Sequence, residues 1–236
     1  MDLFRFKQFD VDQTGCAMKV NTDGVLLGAL ARAGQPGNIL DIGTGTGVIA
    51  LMLAQRFEHA RIDAVEINQA AAETAGRNFK VSKFAERMAL FPIGFESYFE
   101  SHPDTKYDLI VSNPPFFLNS LESPGAKKNL ARHTNEHFFE SLIKVVSKHL
   151  TDTGICAMIL PLNTANYVRV LLPEVGLYLQ KIISIRSFTH TEPHREIITI
   201  GRNLQLADED DLVIYAEPKV YSAAYQHTLK DFLTIF

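Results

Sequence analysis

Short apolar runs bounded by turn residues recur along the chain, and from Ile39 to Leu160 they alternate with longer stretches of helical character. The runs at 38–42, 61–66, 87–91, 107–112 and 154–160 have strand length and a high β-branched content, which reads as buried strands. Strands alternating with helices imply a parallel sheet covered on both faces, an α/β fold. Two further apolar stretches, Leu179 to Ile185 and Glu196 to Ile200, flank a polar segment holding His190, Pro193 and His194 and predict a terminal hairpin. The segment Phe117 to Ala131, with Pro124-Gly125 and Lys127-Lys128, is polar and rich in breakers, and predicts a loop over the carboxyl end of strand 107–112.

Length and composition narrow the class. At 236 residues and 46% hydrophobic, the chain can bury a full core as one domain. There is neither an apolar run of membrane-spanning length nor a leader-like N-terminus, so a cytoplasmic protein with no membrane role is expected. Cys16 and Cys156 show no paired spacing and read as reduced structural residues. His133 and His137, and likewise His190 and His194, stand four apart, but neither pair has a third ligand in its motif, so no metal is expected. A net charge of −4 leaves local patches as the only route to a nucleic-acid partner.

The candidate chemistry sits where predicted strands end. Ile39-Leu40-Asp41-Ile42 is followed at once by Gly43-Thr44-Gly45-Thr46-Gly47 and then by the helical stretch from Val48 to Phe57. Glycines there allow positive φ and close approach of a ligand to the backbone. Their spacing behind Asp41 differs from G-x-G-x-x-G, which favours a cationic cofactor over a pyrophosphate. The next strand ends at Glu66, about twenty residues past the glycines, where an acidic side chain can take the two hydroxyls of a ribose. Asn68 reads as the cap of the following helix. After strand 107–112 comes Asn113-Pro114-Pro115-Phe116. Its carboxamide oxygen and the carbonyls beside two prolines lacking N–H can accept from a planar amine, while the phenyl ring covers the face of the group carrying it.

Taken together these residues resemble the S-adenosylmethionine-dependent methyltransferases of the Rossmann-like class, in the amino-methylating branch with an N-P-P-F or N-P-P-Y signature. Phe6-Lys7-Gln8-Phe9, the stretch from Met18 to Gly28, Arg132-His133 and the segment around Phe232 are similar to the bacterial tRNA(Val)-specific adenine N6-methyltransferases. The resemblance implies a seven-stranded, mostly parallel sheet with an antiparallel terminal strand. It divides the chain into an N-terminal cofactor- or RNA-contacting segment (1–36), a cofactor-binding core (37–160) and a C-terminal sheet edge with a closing helix (161–236). S-adenosyl-L-methionine would be the cofactor, tRNA the partner, and no obligate protein partner is implied. Asn113, Pro114 and Phe116 would hold the amine. Asp41, Gly43, Gly45, Gly47 and Glu66 would hold the cofactor, Thr22 and Asp23 would close over it, and Glu96 would meet its adenine, although Phe95 here stands between Gly94 and that acid. Lys127, Lys128, Arg132 and His133 would meet RNA phosphates.

Three alternatives stay open at this level. The same signature serves methylation of a glutamine amide in release factors and of guanine N2 in ribosomal RNA; the Lys19 to Gly28 segment, and the absence of an extended N-terminal helical domain, favour tRNA. A pyridine-nucleotide oxidoreductase would need another glycine spacing, and a non-catalytic RNA-binding module would have no use for the intact signature. The alternation Phe4-Arg5-Phe6-Lys7 fits either a half-buried first strand or an RNA-contacting arm.

Overall fold

The computed structural model describes residues 2–115 and 126–236, without the side chains of 126–135. The chain opens with a small hairpin of β1 (Leu3–Arg5) and β2 (Asp10–Asp12), followed by α1 (Thr22–Leu30). Then come β3 (Asn38–Ile42), α2 (Val48–Arg56), β4 (Arg61–Val65), α3 (Gln69–Val81), β5 (Met88–Phe91), α4 (Phe95–Ser101) and β6 (Tyr107–Ser112). The second half contains α5 (Ala126–His149), β7 (Leu150–Leu160), α6 (Leu162–Leu171), β8 (Tyr178–Arg186), β9 (Arg195–Gly201) and β10 (Asp208–Val213). A second hairpin, β11 (Tyr215–Glu217) and β12 (Val220–Tyr221), leads to α7 (Ala223–Leu229).

One eight-stranded sheet in the order β10-β8-β9-β7-β6-β3-β4-β5 organises these elements, and only β9 runs against its neighbours. Side chains alternate across it with the period of two that strand geometry imposes. Ile39, Leu109, Val111, Ala157 and Ile159 enter the core under α1, α2, α3 and α7, while Leu40, Ile110, Cys156, Met158 and Leu160 enter the core under α4, α5 and α6. The predicted hairpin of the two late apolar stretches is the β8–β9 pair.

The register fixes where chemistry can occur. Ile42 lies opposite both Val65 and Ser112, and Ser112 lies opposite Met158, so β3, β4 and β6 end level with one another. Gly43, Glu66 and Asn113 are the first residues past those ends. Strand order also reverses between β3 and β6, the switch point at which open α/β sheets bind ligands.

Two expectations are corrected. The sheet has eight strands rather than seven, because β10 adds an edge whose acidic run Asp208, Glu209, Asp210 and Asp211 carries no apolar signal and is held through Lys181–Asp210 and Arg186–Asp211 ion pairs. The segment expected as a loop through Ala131 is helical from Ala126 onward. Phe139, Leu142, Ile143 and Val146, at i, i+3, i+4 and i+7, bury one face of α5, and that packing sustains a helix whose first turns are polar. Of the two readings of the N-terminal aromatics, the packed one holds: Phe6 and Phe9, in the connection between β1 and β2, are buried and stacked with centroids 4.5 Å apart, and Lys7 donates to the carbonyls of Lys230 and Phe236.

Candidate active site

The glycine turn after β3 is stitched to the next strand. Gly43 and Thr44 both donate backbone N–H bonds to the Val65 carbonyl, at 2.9 and 3.1 Å. Gly43, Gly45 and Gly47 all have positive φ, yet their surroundings differ. A Cβ on Gly43 or Gly45 would meet nothing within 4 Å, leaving the backbone bare toward the cleft, whereas one on Gly47 would come within 2.5 Å of the Phe79 ring. Gly47 therefore serves packing between α2 and α3 and does not line the cleft, contrary to the sequence expectation.

Glu66 completes the turn. Its Oε2 accepts from the Gly45 N–H at 2.9 Å and its Oε1 from the Asn68 N–H at 2.7 Å. The carboxylate is thus held in place while each oxygen keeps a second acceptor site for a hydroxyl pair. Asn68 caps α3 as expected, accepting from Ala71 N–H at 3.0 Å.

Asp41 lies behind the turn, fully buried. The Thr44 hydroxyl donates to its Oδ2 at 2.6 Å, and its Oδ1 has no partner. Burial pushes the carboxyl up to about 7, opposed by the Thr44 hydroxyl and the Ala50 backbone N–H and reinforced by the charge of Glu66.

At the end of β6, Ser112 donates to the Ile42 carbonyl at 2.9 Å and locks the two strand ends together. Asn113 follows, with its Oδ1 buried and unpartnered. A buried amide oxygen without a partner carries a desolvation cost that a donor arriving from a ligand would remove. Phe116 lies outside the described residues, as do the side chains of Lys127, Lys128, Arg132 and His133, whose backbone falls in α5.

These groups share one cleft of about 620 Å³, a size that suits a small-molecule ligand. Gly43, Gly45 and Glu66 form one wall, and Asn113, Pro114 and Pro115 the other. Glu96, in the first turn of α4, lines it from the far side, despite Phe95 intervening after Gly94. Thr22 and Asp23 do not line it. Asn21 caps α1 by accepting from Gly24 N–H, and Asp23 pairs with Arg195 at 2.8 Å.

The sequence reading missed several wall residues. Ile67, Ile93, Phe95 and Phe138 give the far end apolar surface, with Phe95 and Phe138 packed edge to face at 5.7 Å. Ile67 carried a signal, a large apolar side chain directly after Glu66. Cys16, Ala17 and Met18 also line the cleft. The segment that carries them is tied to α3 by Asn78, whose Nδ2 donates to the carbonyls of Thr46 (2.8 Å) and Asp12 (2.9 Å) and whose Oδ1 accepts from Asp12 N–H (2.9 Å), and by the Thr74 hydroxyl, which donates to the Thr14 carbonyl at 2.8 Å. Among the described residues no cluster of three or more His, Cys, Asp or Glu side chains forms a metal site, and no helix is long and apolar enough to cross a membrane.

A mostly parallel sheet with a glycine turn, an acid and an amide at its switch point defines a Rossmann-like methyltransferase, and solved structures share that architecture. A predicted O-methyltransferase from Agrobacterium tumefaciens superposes with a TM-score of 0.65 at 17% identity, over 89% of this chain and 96% of that one. A precorrin-6y C5,15-methyltransferase from Geobacter metallireducens gives 0.55 at 17% identity, over 83% and 94%. The "Methyltransferase small domain" family model matches residues 20–161. A tRNA1(Val) (adenine(37)-N6)-methyltransferase from Pedobacter heparinus is 47% identical over 99% of this chain and 98% of its own, and one from Flavobacterium psychrophilum is 40% identical over 98% of each. The chain belongs to this family of small-domain methyltransferases.

Proposed function

We propose that this protein is a tRNA (adenine-N6)-methyltransferase that modifies the adenosine beside the anticodon of tRNA(Val), with S-adenosyl-L-methionine as methyl donor. The observation that carries this reading is the buried, unpartnered Asn113 oxygen standing in the same cleft as Glu66 and the bare Gly43–Gly45 backbone. Those residues fit the cofactor. Glu66 would hold its ribose, Gly43 and Gly45 would admit it against the backbone, and Ile67, Phe95 and Phe138 would cover its adenine with Glu96 nearby. Asp41 would act from behind, steadying the turn through Thr44. When bound, S-adenosylmethionine supplies an electrophilic methyl group on a sulfonium.

The chain's own residues then have a positioning task. The exocyclic amine of adenine is a poor nucleophile because its lone pair is delocalised into the ring. Two N–H bonds, one to Asn113 Oδ1 and one to the Pro114 carbonyl, would hold the amine and favour the pyramidal nitrogen whose lone pair is free to take the methyl group. Their stabilisation grows toward the transition state, so no strong general base is required and the proton leaves to solvent. Phe116 would stack on the extruded base, and Lys127, Lys128, Arg132 and His133 would meet the phosphates flanking it. We place the protein in the cytoplasm with its tRNA substrate.

Transfer of labelled methyl to unmodified total tRNA, with release factor and ribosomal RNA as parallel acceptors, tests the reading. N6-methyladenosine in one tRNA species is the expected product. Label in protein or in guanine would overturn the acceptor while leaving the fold and the cofactor in place.

A further inference from the structure

The sheet order divides the carboxyl edge into two halves. The cofactor-type residues stand on β3, β4 and the turn after β5, Asn113 stands on β6, and β7, β9 and β8 continue beyond it. An acceptor reaching Asn113 while the cofactor fills the β3–β5 half has to approach over the ends of β7, β9 and β8. The segment 187–194, joining β8 to β9, projects from that edge: Ile185 pairs with Arg195, and Leu160 at the end of β7 pairs with Glu196.

This connection is built rather than slack. Thr191 staples it, donating its N–H (3.0 Å) and its hydroxyl (2.9 Å) to the Phe188 carbonyl and accepting from Phe188 N–H at 3.0 Å. His194 N–H closes the base on the Ile185 carbonyl at 2.9 Å. Its root is pinned to α1 through the Arg195–Asp23 pair. At the tip, exposed His190 lies flat on Phe188, with centroids 5.6 Å apart and planes within 15°. Phe188 rests in turn on Tyr215, Tyr215 stacks on Tyr221, and Tyr221 stacks on the buried Tyr225 of α7. A row of rings thus runs from the core to the surface and ends in an imidazole whose outer face is open.

We propose that this row is a stacking platform for an unpaired nucleotide of the RNA acceptor, with His190 as the ring that meets the base. Proteins that read single-stranded loops use exposed rings backed by a rigid support in this way. The spacing suits one loop. Strands about 4.8 Å apart put β9 about 10 Å and β8 about 14 Å from β6, the reach of three or four stacked nucleotides at about 3.4 Å each. A base flipped into the Asn113 cleft and a neighbour held on His190 can therefore belong to the same anticodon loop. The inference rests on the tRNA reading above and adds the residue that holds the loop while one base is extruded.

The test compares wild type, His190→Ala and His190→Phe, using unmodified tRNA and S-adenosylmethionine, with N6-methyladenosine as the product read. His190→Ala is expected to raise KM for tRNA about fivefold or more. It leaves kcat at saturating tRNA and the cofactor Kd as they are, and His190→Phe restores KM because a ring returns. Wild-type KM in both variants would overturn the platform, and so would equal loss in both, since the contact would then not be stacking. If wild type forms no N6-methyladenosine in tRNA, the tRNA reading itself fails and the platform with it, an outcome visible before any variant is compared.

Discussion

Replacing Asp41 with Asn gives a direct measure of how unfavourable a buried charge behind the glycine turn is. The carboxyl is fully buried and is pushed from 3.8 to about 7. In the unfolded chain it releases its proton some three pH units lower, so between those two values the folded state binds more protons. Stability contributed by the protonated form is therefore fully present below about pH 4 and falls as pH rises, levelling off above about 7. At about 1.4 kcal/mol per pH unit the full loss is about 4 kcal/mol, more than half of which falls between pH 5 and pH 8. Asn has nearly the same shape, can still accept from the Thr44 hydroxyl and does not titrate. The difference between wild type and Asp41→Asn therefore cancels the titration of every group that does not interact with Asp41. Urea unfolding at pH 5, 6, 7 and 8 without cofactor should show the variant gaining on wild type as pH rises. For a urea slope of about 2 to 3 kcal/mol per molar, the relative midpoint moves by about 1 M across the series. A difference independent of pH would refute the argument, because it would mean that Asp41 titrates alike in the folded and unfolded chains.

Asn113→Ala should lower kcat about a hundredfold or more while the cofactor Kd, read by calorimetry, stays within about twofold; collapse of cofactor binding with turnover preserved would remove Asn113 from the acceptor side. Glu66→Ala should weaken cofactor binding at least about tenfold and slow transfer less at saturating cofactor, since two hydroxyl bonds to a carboxylate are lost; unchanged affinity would sink the ribose assignment. Gly47→Ala should cost about 3 kcal/mol in urea unfolding, because φ is +85° and the new methyl would press on Phe79, whereas Gly34→Ala, with nothing within 4 Å, should be close to neutral.

The parts of the site legible in the sequence are those whose position follows from a strand's end. Gly43, Glu66 and Asn113 each come directly after an apolar run, and parallel pairing with level ends carries all three to one edge without further information. The fold was readable for the same reason as far as β9. It stopped being readable at β10, where the edge position leaves one side in water, so that charge and cross-strand ion pairs stand in for apolar pattern. The first turns of α5, up to Ala131, were misread as loop because the residues that make the element helical, from Phe138 to Val146, lie beyond the polar turns that begin it.

What was not legible depends on contacts between residues far apart in the chain. Asp23 looked like part of the cofactor site because it stands at the start of a helix near other motif residues, yet its partner is Arg195, 172 positions away. Nothing near either residue announces that pairing. Met18 lines the cleft in a segment held by α3, where Asn78 bonds both the β2 segment and the glycine turn and Thr74 donates to the Thr14 carbonyl. The same distinction separates the two halves of the edge. The β3–β5 half is assembled from local strand-to-turn units that can be read one at a time, whereas the half beyond β6, where we propose the acceptor sits, is assembled by an antiparallel insertion, an aromatic row drawn from four separate elements, and an ion pair spanning most of the chain. Recognition of a macromolecule needs a surface wider than any one unit supplies, so it is built from long-range contacts, and a linear reading identifies the chemistry of the site before it can identify what the site holds.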